Sequence, residues 1–292
     1  MDILHKQTKN VYPIKLSYEY TNITELVRSL KLFKSEYKIL EAIHVTHTKG
    51  VYAVVNNTGK KFFMKAKLKN FMSDNDLAIY KLLKKNPHPN VNSIEFIYST
   101  EKFILILAEF LEGSDMSIKS YRKHYENNLM NIFEVTLHGL SHLHSIGIIH
   151  CDVKLANIMI VPIKDELTTN VNYVPIIVDF DCSRLMEDCK VNRCIGTVGC
   201  IAPEIANGIV SKKSDLWELG MVFYYFIFGN CNTTNSDSSS SETDDEKIIL
   251  PKMDLVNNYA GKYKKIITII KPMLNTNHEY RPEISNILSS FH

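Results

Sequence analysis

Apolar residues recur at helical spacing between residues 21 and 43, at Ile23, Leu26, Val27 and Leu30, behind Thr21 and Asn22 as a cap. This predicts a leading helix, after which the pattern turns extended. Residues 51–55 (VYAVV) and 61–65 (KFFMK) are β-branched or aromatic runs flanking Asn57-Thr58-Gly59, a hairpin signal. Residues 74–85 return to helical spacing, with Leu77, Tyr80 and Leu83 on one face. Residues 94–99 and 103–110 read as another strand pair, so the first 110 residues are mostly sheet with one packed helix.

From residue 128 the pattern shifts to long helices, 129–145 and 214–228, separated by short strands around 158–161 and 176–179. No repeat is visible. Residues 233–246 (TTNSDSSSSETDDE) hold no apolar side chain and predict a solvated, disordered loop.

A chain of 292 residues fits two domains or one large bilobed one, at roughly 150 residues per domain. Lys and Arg number 34 against 32 Asp and Glu, giving +2, too balanced for a surface built to grip nucleic acid or anionic lipid. Neither direct nucleic-acid binding nor membrane insertion is expected, because the longest apolar run, 219–228, is too short to span a bilayer. Six cysteines include no CxxC pair, which argues against a zinc ribbon or a disulfide framework and for an intracellular protein, in cytoplasm or nucleus.

The segment His150-Cys151-Asp152-Val153-Lys154-Leu155-Ala156-Asn157 carries the most chemistry. Asp152 can accept a hydroxyl proton, Lys154 can neutralise transferring phosphate charge, and Asn157 can ligate a hard cation through its side-chain oxygen. Asp179-Phe180-Asp181 follows a short apolar run, and Gly196-Thr197-Val198-Gly199-Cys200-Ile201-Ala202-Pro203-Glu204 comes next. Taken singly, each has a plain reading as a turn cap or a solvated residue.

In this order the segments resemble the eukaryotic-type protein kinase family, with its HRDxKxxN loop, DFG metal motif and APE segment. Lys65 in FFMK resembles the strand lysine of VAIK, DLWELG from Asp215 resembles DxWxxG, and Arg281 resembles the late arginine that pairs with the APE glutamate, here Glu204. The resemblance covers roughly residues 36 to 288. It implies an α+β, bilobed protein kinase fold: an extension with a helix at 1–35, a small antiparallel sheet lobe with one main helix and the hinge at 36–110, and a mostly helical lobe at 111–292. It further implies transfer of the γ-phosphoryl of MgATP to Ser or Thr of a protein, with Asp152 as base and Lys154 on the γ-phosphoryl. Mg²⁺, or Mn²⁺, would be held by Asn157 and Asp179. Lys65 would take the α- and β-phosphates, Asp76 or its rival Asp74 would pair with Lys65, and Gly50, Val51, Ala108, Glu109 and Leu111 would complete the ATP site. Ala108, at the gatekeeper position, implies a deeper apolar pocket behind the purine. The lysine two residues after the base favours Ser/Thr over Tyr.

Several departures qualify that resemblance. The stretch Ile43-His44-Val45-Thr46-His47-Thr48-Lys49-Gly50 has one glycine where the family has up to three, which implies altered phosphate contacts. Cys151 replaces the arginine that reads a phosphorylated loop, and between residues 182 and 195 only Ser183 carries a hydroxyl, so activity without activation-loop phosphorylation is expected. Asp181 replaces the DFG glycine and should resist a flip of that segment. A long connection at 162–174 reads as a surface loop. Five acids in 236–246 favour a basic protein substrate. The compact style resembles kinases of large DNA viruses such as baculoviruses. A pseudokinase acting as a binding module is the alternative, a small-molecule phosphotransferase a third, and the oligomeric state stays open.

Overall fold

The protein is described by a computed structural model covering residues 23, 24, 27, 28, 30, 35–164, 171–188, 195–229 and 249–291. The expected cap at Thr21-Asn22, Leu26, the acidic stretch 233–246 and Cys189, Cys194 and Cys231 lie outside the described residues. The chain divides into two compact units, 1–72 with 95–110, and 73–94 with 111–292.

The first unit is a five-stranded sheet of β1 (Tyr37–Val45), β2 (Lys49–Asn56), β3 (Lys61–Leu68), β4 (Ile94–Ser99) and β5 (Phe103–Glu109), in the order β1-β2-β3-β5-β4. The helical reading of residues 21–43 is therefore too long: Ile23, Thr24, Val27 and Arg28 are helical, but Tyr37 onward is strand. Two register shifts in β1, at Ile39/Glu41 and Ala42/His44, break the alternation that would have marked it as strand. Alternate residues of β2 and β3 (Tyr52, Val54, Phe62, Met64, Ala66) join Ile23, Val27, Phe103, Leu105 and Leu107 in one apolar cluster. Turn chemistry sets the β2–β3 hairpin, since the Asn56 side chain accepts from the amides of Thr58 and Lys60 at 3.1 and 2.8 Å.

The second unit opens with α1 (Asp74–Lys85), whose start is a reciprocal capping box between Ser73 and Asp76. Ile79, Tyr80 and Leu83 are its buried residues, while Leu77 is only half-buried. The helix α2 (Leu129–Ser145) buries a stripe from Leu129 to His144, and Phe133 packs on Phe223 of α3 (Lys212–Phe228) with ring centroids 4.3 Å apart. Apolar almost all round, α3 is the core helix of this unit. It starts two residues before the expected 214, because Ser211 supplies the cap.

The described parts of the stretch expected as a surface loop, 162–164 and 171–174, are strand. Strands β8 (Ile158–Lys164) and β9 (Val171–Ile177), which follow the two-residue strands β6 (Ser114–Asp115) and β7 (Ile148–Ile149), pair as a hairpin out to Lys164 and Val171. Pro162 opposes Tyr173 and Pro175 opposes Ile160, and these prolines masked the strand signal. β9 ends at Ile177, so Asp179 lies beyond the strand. A short β10 (Arg184–Leu185) pairs with β7.

Candidate active site

In the sheet unit, Lys65 of β3 lies opposite Val51 of β2 and Ile106 of β5. Opposed residues share a sheet face, and so do residues two apart, which puts Ala53, Phe63 and Ala108 on that same face. Phe63 stacks on Phe110 at 4.6 Å. The small side chains of Ala53 and Ala108 flank Phe63, so the apolar face beside Ala108 is an aromatic surface that the sequence reading missed. Glu109 is exposed at the end of β5, and Leu111, buried, opens the other unit.

The glycine-poor stretch is a tight turn. Thr46 closes it, its amide donating to the Lys49 carbonyl at 2.8 Å and its hydroxyl accepting from the Lys49 amide at 3.1 Å. Gly50 belongs to β2, opposite Val45, and a Cβ there would sit 2.2 Å from the Tyr52 hydroxyl. Its bareness makes room for the buried Tyr52 ring, whose hydroxyl lies 3.2 Å from that of Thr24.

In the second unit, β7 delivers the chain to His150. Four successive amides are held there: those of His150 and Cys151 by the two Asp215 oxygens at 2.9 and 2.8 Å, that of Asp152 by His150 Nδ1 at 3.3 Å, and that of Val153 by Glu218 Oε2 at 2.7 Å. Asp215 also takes His144 Nε2 at 2.7 Å. Held this way, Cys151 adopts φ +62°, a conformation non-glycine residues reach only when their surroundings impose it.

Three side chains then close around Asp152. Thr197 Oγ1 donates to Oδ1 at 2.6 Å, Lys154 Nζ lies 2.8 Å from Oδ2, and Asn157 Nδ2 donates to Oδ2 at 3.1 Å and to the Asp152 carbonyl at 2.9 Å. Lys154 also donates to Thr197 Oγ1 at 2.7 Å. Burial alone would lower the Lys154 pKa, but its hydrogen bond to Asp152, the Asp152 charge and that of Asp179 outweigh it and raise it. Nothing local in the sequence marks Thr197 for this role; only the fold brings it 45 residues back to Asp152.

Asp179 is the second described non-glycine residue at φ +62°. The turn around it is pinned on both sides: the Val178 amide donates to the Asn157 carbonyl at 3.0 Å, His150 Nε2 donates to the Val178 carbonyl at 3.1 Å, and His150 meets Phe180 edge-on at 5.5 Å. Asp181 Oδ1 accepts from the Tyr80 hydroxyl of α1 at 3.3 Å, which ties this turn to the helix. On that helix, the Asp76 carboxylate accepts from the Ser73 amide at 3.2 Å as part of the cap.

The expected pairing of Glu204 with Arg281 is present and bidentate, both contacts 2.7 Å, with both side chains buried. Ser214 Oγ adds a bond to Glu204 at 2.8 Å, and the guanidinium lies over Trp217 at 5.0 Å. Ser183 is fully buried, its hydroxyl on the His150 carbonyl at 3.2 Å, a poor position for a phosphate acceptor. Burial pushes the Cys200 thiol up to about 12, and also raises Cys151 and Cys182.

For a divalent cation the donors are chemically apt. The Asn157 amide nitrogen is turned to Asp152, leaving its oxygen as the ligating atom, and Asp179 offers a carboxylate; both are hard oxygen donors of the kind Mg²⁺ takes. The protein kinase domain profile matches residues 37–291. The chain belongs to the protein kinase family. This kinase domain is 28% identical over 244 residues to the meiosis-specific serine/threonine-protein kinase mek1 of Schizosaccharomyces pombe, covering 76% of this chain and 50% of that one. It is 26% identical over 243 residues to the striated muscle preferentially expressed protein kinase of Danio rerio, covering 80% and 8%, and 26% over 265 residues to sperm motility kinase Z of Mus musculus, covering 89% and 50%. The chain thus spans half or less of the length of these relatives. No helix among the described residues is long and apolar enough to cross a membrane.

Proposed function

We propose that this kinase domain transfers the γ-phosphoryl of ATP to Ser or Thr of a protein substrate without phosphorylation of its own activation segment. The observation that carries this is the closed set around Asp152. A base whose carboxylate is oriented by Thr197, Lys154 and Asn157 needs little reorganisation to accept a hydroxyl proton, and Lys154 stands beside it as a cation for the transferring group. Asn157 and Asp179 would hold Mg²⁺ or Mn²⁺, which offsets phosphate charge; Lys65 would take the α- and β-phosphates, and Asp76 or Asp74 would be its acidic partner. Gly50, Val51, Ala108, Glu109 and Leu111 complete the proposed ATP site.

Independence from phosphorylation is supported by Cys151, a buried thiol where a phosphate-reading cation would stand, and by the buried Ser183. The acidic residues Asp237, Glu242, Asp244, Asp245 and Glu246 favour a Lys- or Arg-rich substrate. A viral source and an intracellular site of action belong to the same proposal, on the compactness of the segments and the cysteine usage. The turn closed by Thr46 and the Phe63 ring on the Lys65 face favour the second reading, a pseudokinase that binds without turnover.

Transfer of ³²P from γ-labelled ATP to a basic protein, with Asp152→Asn alongside, separates the two. The kinase reading expects transfer by the wild type, its loss in Asp152→Asn with nucleotide affinity nearly intact, and no drop in rate after phosphatase treatment. Nucleotide binding with no transfer by either form would establish the pseudokinase.

A further inference from the structure

Glu218 is fully buried on α3 between Trp217 and Leu219, at a variable position of the DxWxxG pattern. Asp215, one helical turn earlier, takes the amides of His150 and Cys151, and Glu218 takes the amide of Val153, the residue between Asp152 and Lys154. The other oxygen, Oε1, has no hydrogen-bond partner among the described residues. It lies beside Gly196, where φ is +105° and a Cβ would come within 2.9 Å of the Cys151 carbonyl oxygen and 3.5 Å of Glu218 Oε1. Gly196 precedes Thr197. A single carboxyl thus underlies both segments whose side chains meet at Asp152.

We propose that Glu218 is a positioning residue for phosphoryl transfer, fixing the Val153 peptide so that the Asp152 carboxylate and the Lys154 ammonium meet Thr197 in one arrangement. The inference rests on the kinase reading. An apolar residue of similar size would fill the space, but it would leave the Val153 amide buried without an acceptor, and the loop would turn to satisfy it. Burial, then the charge of Asp215, raises the Glu218 carboxyl well above the usual range against the opposing Val153 bond, and an amide of the same shape keeps the oxygen that accepts from Val153.

Glu218→Gln and Glu218→Met, matched in volume and differing in acceptor, make the test. Glu218→Met should lower kcat about 10-fold or more while moving KM for MgATP less than about threefold, and Glu218→Gln should restore kcat to within about threefold of wild type. Hydrogen exchange at the Val153 amide should accelerate about 10-fold or more in Glu218→Met relative to Glu218→Gln. If Met is not accommodated, Glu218→Ala provides the same contrast with Gln. Equal kcat and equal Val153 exchange in the two variants would overturn the proposal and make Glu218 a space-filler. A wild type that transfers no phosphoryl would sink the kinase reading instead, and with it the catalytic role of Glu218. The exchange contrast would then still report whether the carboxyl holds the loop.

Discussion

Replacing Thr197 by Val preserves shape and removes one oxygen. That oxygen donates to Asp152 Oδ1 at 2.6 Å and accepts from Lys154 Nζ at 2.7 Å, so it is the bridge between the proposed base and its cation. Val can do neither. Asp152 would keep Lys154 at 2.8 Å and Asn157 at 3.1 Å, both on Oδ2, which leaves Oδ1 unheld and the carboxylate free to rotate. A hydrogen bond to a charged group contributes about 1.5–3 kcal/mol, and each 1.36 kcal/mol is a factor of ten in rate, so the chemical step should slow about 10- to 150-fold. KM for ATP should move less than about twofold, because Thr197 has no part in the proposed nucleotide contacts. Single-turnover quench-flow with γ-labelled ATP is the assay, since it separates transfer from product release. Thr197→Ser, which keeps the hydroxyl, should recover most of the rate. A valine variant within about twofold of wild type, or a serine variant as slow as valine, would refute the reasoning and reduce Thr197 to packing.

Three further outcomes are expected. Asp179→Ala should weaken MgATP binding about 10-fold or more by calorimetry while sparing nucleotide binding without the metal; unchanged MgATP affinity removes Asp179 from the metal site. Glu204→Gln leaves the Arg281 cation buried without its carboxylate and should cost about 3–5 kcal/mol in urea unfolding, so a loss under about 1 kcal/mol would show that the pair contributes little. Because the folded state keeps the Glu218 proton above the pH, about 4.3, at which the unfolded chain releases it, wild-type stability should fall relative to Glu218→Gln as pH rises from there. Parallel stability–pH curves for the two proteins would mean that Glu218 is ionised in the fold.

The legible parts of this chain were those whose causes are local. The limits of α1 and α2 could be read from periodicity. The acid, cation and amide of the 150–157 segment announced their chemistry by type and spacing. Illegible were relations made by distance in sequence: Thr197 on Asp152, Phe63 on Phe110, Tyr80 on Asp181. Strand β1 was hidden by its two register shifts, and the β8–β9 hairpin by its prolines. Glu218 gave no signal, because an acid in a helical run ordinarily marks the solvated face and here it marks the centre.

The pairing of Glu204 with Arg281 also has a consequence in time. Seventy-seven residues separate them, and no other cation is hydrogen-bonded to Glu204 among the described residues. During synthesis the segment ending in Ala202-Pro203-Glu204 emerges long before its guanidinium partner. Until Arg281 has left the ribosome, burying the Glu204 carboxylate would leave it with the Ser214 hydroxyl and no cation, which disfavours the final seat of that segment. A nascent chain that already carries Asp152, Lys154 and Asn157 would then lack a settled Thr197 side, and the proposed site would be completed only once Arg281, near the end of the matched domain, has been made.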